Sequence, residues 1–349
     1  MPIVLGAVFL ILLLLFTLPH KGFMVTFSSI SIIVALQYLV PIVDFTAVRG
    51  ILMVFSMKIS SLAFDKGHDF SIADVVPAFA FIFNPSTMIF GPFHTYTDFL
   101  KSLNRRTMKE EVSSGLQSVA LLAVALGFLM YSSCLSIIVP QGSLLTDYFV
   151  AQSFRSSHFF VCFLSQALST LFGMRLLVCS PSKIELPRSL VEVVTEWNIP
   201  MHRYLRSYVY LKFLESWGNA GAIFASFAVS SLLHGLNFQI TAVLLSLGFL
   251  CYFENKFRNR VSNRFSMCVR ARPCGNCNHK KNSTNWQTLL LNVVFSINAV
   301  YLLIYLGAPF GEDGAEVGYD RNHTISTWKR HGFAGHWIGI GIALLSICA

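Results

Sequence analysis

The chain has 349 residues, of which 54% are hydrophobic and only 12% charged, with a formal net charge of +9 and a mean hydropathy of +0.61. Soluble domains carry about 25% charged residues, so this composition excludes an ordinary soluble protein. Because apolar stretches of spanning length recur along the chain, we predict an all-α, polytopic membrane protein.

Apolar stretches near or above the roughly 18 residues needed to span a bilayer mark the first candidate helices, the last of them less cleanly than the others. They cover residues 2–18, 23–43, 115–139, 158–179, 288–307 and 332–349. The first stretch lacks a preceding basic region and a small-residue cleavage site, so we predict a span and not a signal peptide. The uncharged run 219–253 is too long for one simple span, and we expect it to bend between His234 and Gln239.

Two further apolar stretches contain charges or prolines. Residues 45–64 include Arg49 and Lys58, and residues 72–93 include Asp74 and three prolines. Such features are tolerated at membrane depth only where protein or a water-filled cavity covers them. We therefore predict interior or re-entrant segments here, and eight to ten membrane segments in all.

Asn198, in the sequence Glu-Trp-Asn-Ile-Pro, is the first candidate catalytic residue. Its side-chain NH2 could donate a hydrogen bond to an acyl carbonyl or to the oxyanion that forms from it. Its alternative role is a helix N-cap, since Ile-Pro follows it. The stretch from Trp197 onward alternates aromatic and basic residues, including Arg203 and Tyr208. That alternation is typical of an interfacial helix, and we predict substrate contacts, with cations available to the phosphates of coenzyme A.

His234 is an imidazole within an otherwise uncharged apolar run. Ionisable groups in hydrocarbon are costly, so we expect it to face the bundle interior or a wet tunnel and to mark a functional site. A neutral histidine could take a proton from an alcohol as a general base. Ser230, one helical turn earlier, could orient the ring, contact substrate or bond back to the helix. A histidine that only packs helices together is the alternative.

The charge distribution predicts the orientation of the chain. Residues 254–281 contain eight basic residues and one acid, whereas residues 308–331 contain three basic residues and four acids. The positive-inside rule therefore places a basic segment, 254–287, in the cytosol and a lumenal segment, 308–331, on the other side. The sequon at Asn322 agrees with that side. The basic segment would contact anionic lipid headgroups, and we expect no nucleic-acid partner for a loop tethered between spans.

Four candidate metal ligands lie close together in the basic segment. Cys268, Cys274, Cys277 and His279 have the spacing Cys-x5-Cys-x2-Cys-x-His. Three cysteines and a histidine form a known structural zinc set, although this spacing is not that of a standard finger. Reduced, unligated cysteines and S-acylated juxtamembrane cysteines are the alternatives. Phosphate-binding loops, His-Glu-x-x-His pairs and Gly-x-Ser-x-Gly elbows are absent from the sequence, which disfavours the chemistries they support.

Several segments resemble the membrane-bound O-acyltransferase family, and specifically its branch that acylates Wnt proteins. They are Val191 to Met201, Tyr208-Val-Tyr, Ser231-Leu-Leu-His-Gly, Ile89-Phe-Gly-Pro, Arg49-Gly-Ile-Leu-Met, Lys58 to Asp65, Cys268 to His279 and Lys329 to Trp337. The resemblance covers essentially the whole chain and implies a helical membrane fold with a central tunnel. In this family further N-terminal membrane segments are usual, and we expect them to be missing here.

The resemblance also implies a function. Members of the Wnt-acylating branch transfer a palmitoleoyl group from acyl-CoA to a serine hydroxyl of Wnt proteins in the endoplasmic reticulum membrane, with no resident cofactor, and the resemblance implies the same for this chain. The family's catalytic histidine and asparagine match His234 and Asn198. Palmitoleoyl-CoA would enter from the cytosol, and the protein acceptor would approach from the lumen.

Two other functions stay open at the level of sequence. One is an inactive acyl-binding scaffold for Wnt proteins. The other is a membrane transporter in which His234 acts as a relay. Inverted repeats would be expected in a transporter, and the sequence contains no convincing internal repeat. Acyl-chain selectivity depends on tunnel shape, and no motif encodes it.

Overall fold

The computed structural model describes residues 21–66, 69–89, 91–138, 144–275, 279–311 and 321–348. Within these ranges the chain is helical, apart from turns, loops and one isolated bridge between Met267 and Lys281. The helices are α1 (Lys21–Leu39), α2 (Ile42–Lys66), α3 (Val75–Ile82), α4 (Pro85–Met88), α5 (Tyr96–Ser102), α6 (Met108–Ile138), α7 (Leu144–Leu171), α8 (Pro181–Glu185), α9 (Leu190–Trp197), α10 (Ile199–Leu205), α11 (Leu211–Leu233), α12 (Phe238–Phe265), α13 (Trp286–Gly307), α14 (Arg321–Arg330) and α15 (Ala334–Cys348). The predicted all-α fold is confirmed.

Four of the described helices are long and apolar enough to cross a membrane. They are Lys21–Leu39, Met108–Leu135, Phe238–Phe265 and Trp286–Gly307, and Ala334–Ile347 is a shorter apolar helix. Large apolar side chains on the outside of these helices, such as Leu116 and Ile297, are more than half exposed. Exposed apolar faces of this kind suit a lipid environment. The membrane character is confirmed, while the count of eight to ten segments stays a prediction and the stretch 2–18 lies outside the described residues.

The predicted bend in the run 219–253 is confirmed. Helix α11 ends at Leu233 and α12 begins at Phe238, so His234 lies in the break. Gly235 has φ +82°, a left-handed conformation that favours glycine. Asn237 caps α12 by accepting a hydrogen bond from the Ile240 amide at 3.1 Å. The Gln37 side chain of α1 donates to the Leu236 carbonyl and accepts from its amide, which holds the break against α1.

The stretch 45–64 forms the interior of one continuous helix, α2, whose second half is buried. Lys58 is fully buried there, and its Nζ donates to the carbonyl oxygens of Phe81 and Ile82 at 3.0 and 3.4 Å and to Thr87 Oγ1 at 2.8 Å. These carbonyls end α3 and would otherwise lack partners. The lysine thus stabilises the stretch 72–89, which forms a 3₁₀ turn, α3 and α4. Phe81 and Ile82 are buried but Ile72 and Val76 are exposed, so the interior or re-entrant position of this stretch stays a prediction.

Helices α6 and α7 pack side by side in antiparallel directions. Ser118 Oγ donates to the Ala167 carbonyl at 2.8 Å, and Ser132 Oγ donates to the Ser153 carbonyl at 2.9 Å. Helix α7 ends at Leu171, so the predicted span 158–179 is only partly helical. The chain turns at Gly173, which has φ +88°, and it then passes into the short helices α8 to α10.

The basic segment begins as helix and not as loop, which corrects the predicted boundary. Helix α12 continues to Phe265 and stops where Ser266 adopts a left-handed conformation, with φ 50°. It continues through Glu254 because Glu254 and Arg258 form a buried ion pair, with Nη1 and Oε1 3.3 Å apart. The remaining charged residues of 254–281 are all basic, so the predicted cytosolic orientation is unchanged by this pair. In the lumenal segment, Arg321–Arg330 form α14.

Candidate active site

A cavity of about 1580 Å³ lies among α2, α7, α9 to α12 and the end of α13. His234, Asn198, Trp197 and Ser230 all line it, although Asn198 and His234 are 36 residues apart in the sequence. The cavity is large enough for a small-molecule site, since such sites occupy about 300–1,000 Å³. A central tunnel that opens on both sides of the membrane stays a prediction.

One face of α12 forms a long wall of this cavity. The wall consists, in chain order, of Ile240, Val243, Leu244, Leu247, Cys251, Tyr252, Asn255 and Asn259. These residues recur at three- and four-residue intervals, so they lie on one side of the helix. From Ile240 to Asn259 the wall is about 28 Å long at 1.5 Å per residue. It is apolar near His234 and polar near the basic segment, where Arg270 and Arg272 complete the lining.

The imidazole of His234 has a fixed orientation. Its Nδ1 lies 2.6 Å from the main-chain carbonyl oxygen of Ser230. A carbonyl oxygen only accepts hydrogen bonds, so Nδ1 carries the proton. In the neutral ring the unprotonated nitrogen is then Nε2, the tautomer that a general base requires. The carbonyl of Ser230, and not its hydroxyl, orients the ring.

Asn198 ends α9 and begins α10. Its Oδ1 accepts a hydrogen bond from the Met201 amide at 3.0 Å, which makes it the N-cap of α10. That bond identifies Oδ1 as the acceptor and leaves Nδ2 as the donor of the same amide. Nδ2 has no hydrogen-bond partner among the residues that the structure describes. The cap and the proposed carbonyl contact therefore use different atoms and are compatible.

His158 of α7 is a second imidazole in the cavity wall, which the sequence alone does not predict. Its Nε2 donates to the main-chain carbonyl of Trp197 at 2.9 Å. The ring also stacks on the Trp197 indole, with centroids 4.4 Å apart and planes 9° from parallel. These contacts fix the residue that precedes Asn198. The cost of an ionisable group in hydrocarbon applies to His158 too, but its position at the first residue of the apolar stretch 158–179 hides that signal.

Several cationic side chains also line the cavity. Arg49 of α2, Arg206, Arg270 and Arg272 contribute guanidinium groups. Arg155 lies in the same wall, and Glu185 compensates its charge through Nε–Oε1 and Nη2–Oε2 contacts of 2.8 and 3.1 Å. The cavity is therefore able to bind an anionic group at its polar end.

Two predicted substrate contacts lie outside the cavity. Tyr208 is buried in a hydrophobic core with Phe93 and Tyr204, and its hydroxyl donates to Asp65 Oδ2 at 2.7 Å. Arg203 is exposed and does not line the cavity. The helical turn explains both, because the face that carries Tyr204 and Tyr208 packs on the core and Arg203 points away from it. The structure leaves both residues outside the candidate site.

Three of the four predicted metal ligands come together. One ligand atom each from Cys268, Cys274 and His279 lies within 4.8 Å of the others. Cys274 and His279 also contribute to the polar end of the cavity. Cys277 lies outside the described residues.

Comparison with known proteins identifies the family of this chain. The family model for the membrane-bound O-acyltransferase family, MBOAT, matches residues 7–278, which include Asn198 and His234. This chain belongs to the membrane-bound O-acyltransferase family. The predicted family and the predicted acyltransferase activity are confirmed.

Individual relatives cover nearly the whole chain. A protein-serine O-palmitoleoyltransferase porcupine of Caenorhabditis briggsae is 32% identical over 344 residues, or 93% of this chain and 77% of the relative. The porcupine of Homo sapiens is 32% identical over 374 residues, or 94% of this chain and 80% of the relative. This acyltransferase is therefore similar to the porcupines along most of both chains.

Proposed function

We propose that this membrane-bound O-acyltransferase transfers a palmitoleoyl group from palmitoleoyl-CoA to a serine hydroxyl of Wnt proteins, as a multi-pass protein of the endoplasmic reticulum membrane. The names of its relatives support protein-serine palmitoleoylation. One observation carries the mechanism. The Nδ1 of His234 is tied to the Ser230 carbonyl in the wall of a long cavity that Asn198 also lines.

In the proposed reaction His234 is the general base. Its Nε2 takes the proton from the acceptor serine hydroxyl while the serine oxygen attacks the thioester carbonyl carbon. A carbon–oxygen bond forms, the carbon–sulfur bond breaks, and the proton on Nε2 passes to the departing thiolate of coenzyme A. Positioned proton transfer of this kind contributes about 10²- to 10⁴-fold in rate.

Asn198 stabilises the negative charge that develops on the carbonyl oxygen. Its Oδ1 is occupied by the Met201 amide, so the amide plane is fixed before substrate arrives. Nδ2 then donates a hydrogen bond to the oxyanion without reorganisation of the site. One such donor contributes about 10²- to 10³-fold in rate.

The polarity of the cavity suits acyl-CoA. The apolar part of the α12 wall, from Ile240 to Cys251, would hold the hydrocarbon chain, and the arginines at the polar end would bind phosphates of coenzyme A. This end adjoins the basic segment, which charge assigns to the cytosol. The acceptor serine would reach His234 from the opposite end, near Phe310 and Gly311. Acyl-CoA is a co-substrate, and each proposed step uses side chains of this chain.

The decisive experiment measures transfer from alkyne-tagged palmitoleoyl-CoA to a Wnt peptide by purified protein in lipid nanodiscs. We expect His234→Ala to lose at least about 10²-fold in rate while binding of the acyl-CoA is retained. A peptide with its serine replaced by alanine is the acceptor control. Transfer by His234→Ala at the wild-type rate would overturn the mechanism.

The same assay separates the other functions. If the wild type binds acyl-CoA and peptide without transfer, the protein is a scaffold. If it shows no binding and no transfer, the result favours a transporter. Ser230→Ala is the matched control, because it keeps the carbonyl that orients His234 and removes only the hydroxyl.

A further inference from the structure

The chain between Ser266 and Lys281 folds back on itself at the end of α12. The Lys281 amide donates to the Ser266 carbonyl and the Cys268 amide donates to the Lys281 carbonyl, both at 3.0 Å. The Lys280 amide donates to Ser266 Oγ at 2.9 Å. We call the described residues at the two ends of this stretch, 266–275 and 279–281, the fold-back segment. Its closed base brings together side chains that are up to eleven residues apart, from Cys268 to His279.

The three ligand atoms have a spacing close to that of a zinc site. All lie within 4.8 Å of one another, and Cys274 Sγ is 3.9 Å from His279 Nδ1. In a tetrahedral zinc site, Zn–S bonds of about 2.3 Å and Zn–N bonds of about 2.0–2.1 Å place sulfur and nitrogen about 3.6 Å apart. The Cys274–His279 distance is therefore within a few tenths of an ångström of that value.

The orientation of His279 is fixed by a chain of hydrogen bonds that points a lone pair at the cysteines. Ser262 Oγ donates to the Met267 carbonyl at 2.7 Å, which uses its only proton. Ser262 Oγ also lies 3.1 Å from His279 Nε2, so it must accept from Nε2–H. Nδ1 of the neutral ring is then unprotonated on the side of Cys274. In metal sites, the ring nitrogen of a ligating histidine that does not bind the metal is typically held by a hydrogen bond to a second residue.

We propose that Cys268, Cys274 and His279 bind a structural zinc ion. Thiolates together with imidazole favour zinc among the common metals. The charge-derived topology puts the fold-back segment in the reducing cytosol, where thiols bind metal in preference to forming disulfides. Binding converts the two thiols to thiolates and releases their protons to solvent.

The zinc ion would hold the cationic end of the cavity in place. Arg270 and Arg272 lie between the first two ligands in the sequence and line the cavity. The same stretch is docked on the loop before α9, where Arg188 Nη2 donates to the Cys268 carbonyl at 2.9 Å. Ser189 Oγ donates to the Ala271 carbonyl at 3.0 Å. The metal would therefore position the wall that faces the phosphates of acyl-CoA.

The full chain is purified without added metal, and its metal content is measured by elemental mass spectrometry. We expect about one zinc ion per chain in the wild type, and loss of most of it in Cys268→Ser, Cys274→Ser and His279→Ala. Cys134→Ser is the matched control, because Cys134 is exposed on α6, and it should keep its zinc.

Ser262→Ala tests the orientation of His279 separately. It should weaken zinc affinity by about 10- to 100-fold, as loss of a group that orients a ligand does, measured by competition with a chromogenic chelator. If a ligand variant fails to fold, wild-type protein is stripped with a chelator and loaded with cobalt, which should show thiolate-to-cobalt charge-transfer absorption.

A wild type that contains no zinc and binds neither zinc nor cobalt would overturn the proposal. So would full zinc content in all three ligand variants, or a disulfide or thioester on Cys268 or Cys274 in the peptide mass spectrum. Each of these results leaves the proposed acyl transfer intact, because that chemistry uses His234 and Asn198 and is measured by another assay.

Discussion

The Nδ1 atom of His234 lies 2.6 Å from the carbonyl oxygen of Ser230, one helical turn earlier in the chain. The helix backbone thereby sets both the direction and the tautomer of the imidazole. Because α11 ends at Leu233, the ring projects from a helix terminus into the cavity. No side chain is needed to hold the proposed base, so its orientation does not depend on which residue occupies position 230.

The first prediction is that the orientation of His234 does not depend on the side chain of Ser230. Ser230→Ala should retain acyl transfer near the wild-type rate, since it leaves the carbonyl in place, whereas His234→Gln should lose about 10²- to 10⁴-fold because glutamine is no base. Single-turnover transfer to a Wnt peptide measures both. A large loss in Ser230→Ala with normal folding would mean that the hydroxyl takes part in the reaction.

The second prediction separates the two roles of Asn198. Asn198→Asp keeps an oxygen for the Met201 amide but has no NH2 donor, so kcat should fall by about 10²- to 10³-fold with little change in stability. Asn198→Ala should lose the donor and also the cap, at a cost of about 1 kcal/mol in unfolding free energy. Transfer kinetics and thermal unfolding of the two variants provide the comparison. Equal stability of both variants would contradict the capping role.

The third prediction treats His158 as a positioning residue. His158→Ala leaves the Trp197 carbonyl without its donor, which costs about 1–3 kcal/mol where the group stays buried, and lets the residue before Asn198 shift. We expect kcat to fall and the KM for acyl-CoA to change little. His158→Gln offers an NH2 donor to the same carbonyl and should restore much of the rate. Failure of glutamine to do better than alanine would indicate a different role for the imidazole.

The sequence predicts the helical membrane fold and singles out His234, because an ionisable residue in an apolar run is costly and therefore visible. Asn198 lies in a more polar stretch, close to Glu196, and its pairing with His234 comes from the family resemblance. The sequence does not predict which other residues share their cavity. Tyr208 and His158 show why. Whether a side chain faces a core or a cavity depends on how helices distant in sequence pack, and no local pattern in this chain carries that information.

Boundaries fail for a related reason. Glu254 and Arg258 read as the start of a charged loop, but each neutralises the other inside the protein, with exposed side-chain fractions of 1% and 0%. A buried pair four residues apart on a helix is invisible to a count of charges. Lys58 is a similar case in which the sequence correctly indicates an interior position, while its partners in α3 and α4 emerge only from the packing.

The fourth prediction follows from those partners. Lys58→Met keeps the volume of the side chain but leaves the Phe81 and Ile82 carbonyls and the Thr87 hydroxyl without a donor. Each unsatisfied buried group costs about 1–3 kcal/mol, so the melting temperature should fall clearly. Lys183→Met is the matched control, because Lys183 is half-exposed and its ion pair with Glu196 contributes at most about 1 kcal/mol. Equal melting temperatures of the two variants would show that the buried contacts of Lys58 contribute no more than a surface pair.

The fifth prediction concerns the buried ion pair of Glu254 and Arg258. Glu254 Oε2 accepts a hydrogen bond from the Leu190 amide at 2.9 Å, at the start of α9, and Arg258 Nε donates to the Val269 carbonyl at 2.8 Å, in the fold-back segment. The pair therefore joins α12 to the helix that ends in Asn198 and to the cationic wall. Removing one partner leaves an uncompensated buried charge, which costs about 3–5 kcal/mol.

Arg258→Met alone should therefore unfold at a clearly lower temperature than the double variant Glu254→Leu with Arg258→Met, in which no charge is left buried. Replacing a buried ion pair by apolar residues is often neutral or stabilising, so the double variant should recover much of the stability. Acyl transfer should recover less, because the apolar pair no longer holds the Val269 carbonyl of the fold-back segment. Unfolding and transfer are measured on nanodisc preparations of four proteins: the wild type, Glu254→Leu, Arg258→Met and the double variant. If the double variant is as unstable as Arg258→Met, the lost stability comes from the contacts to the fold-back segment and not from the unpaired charge.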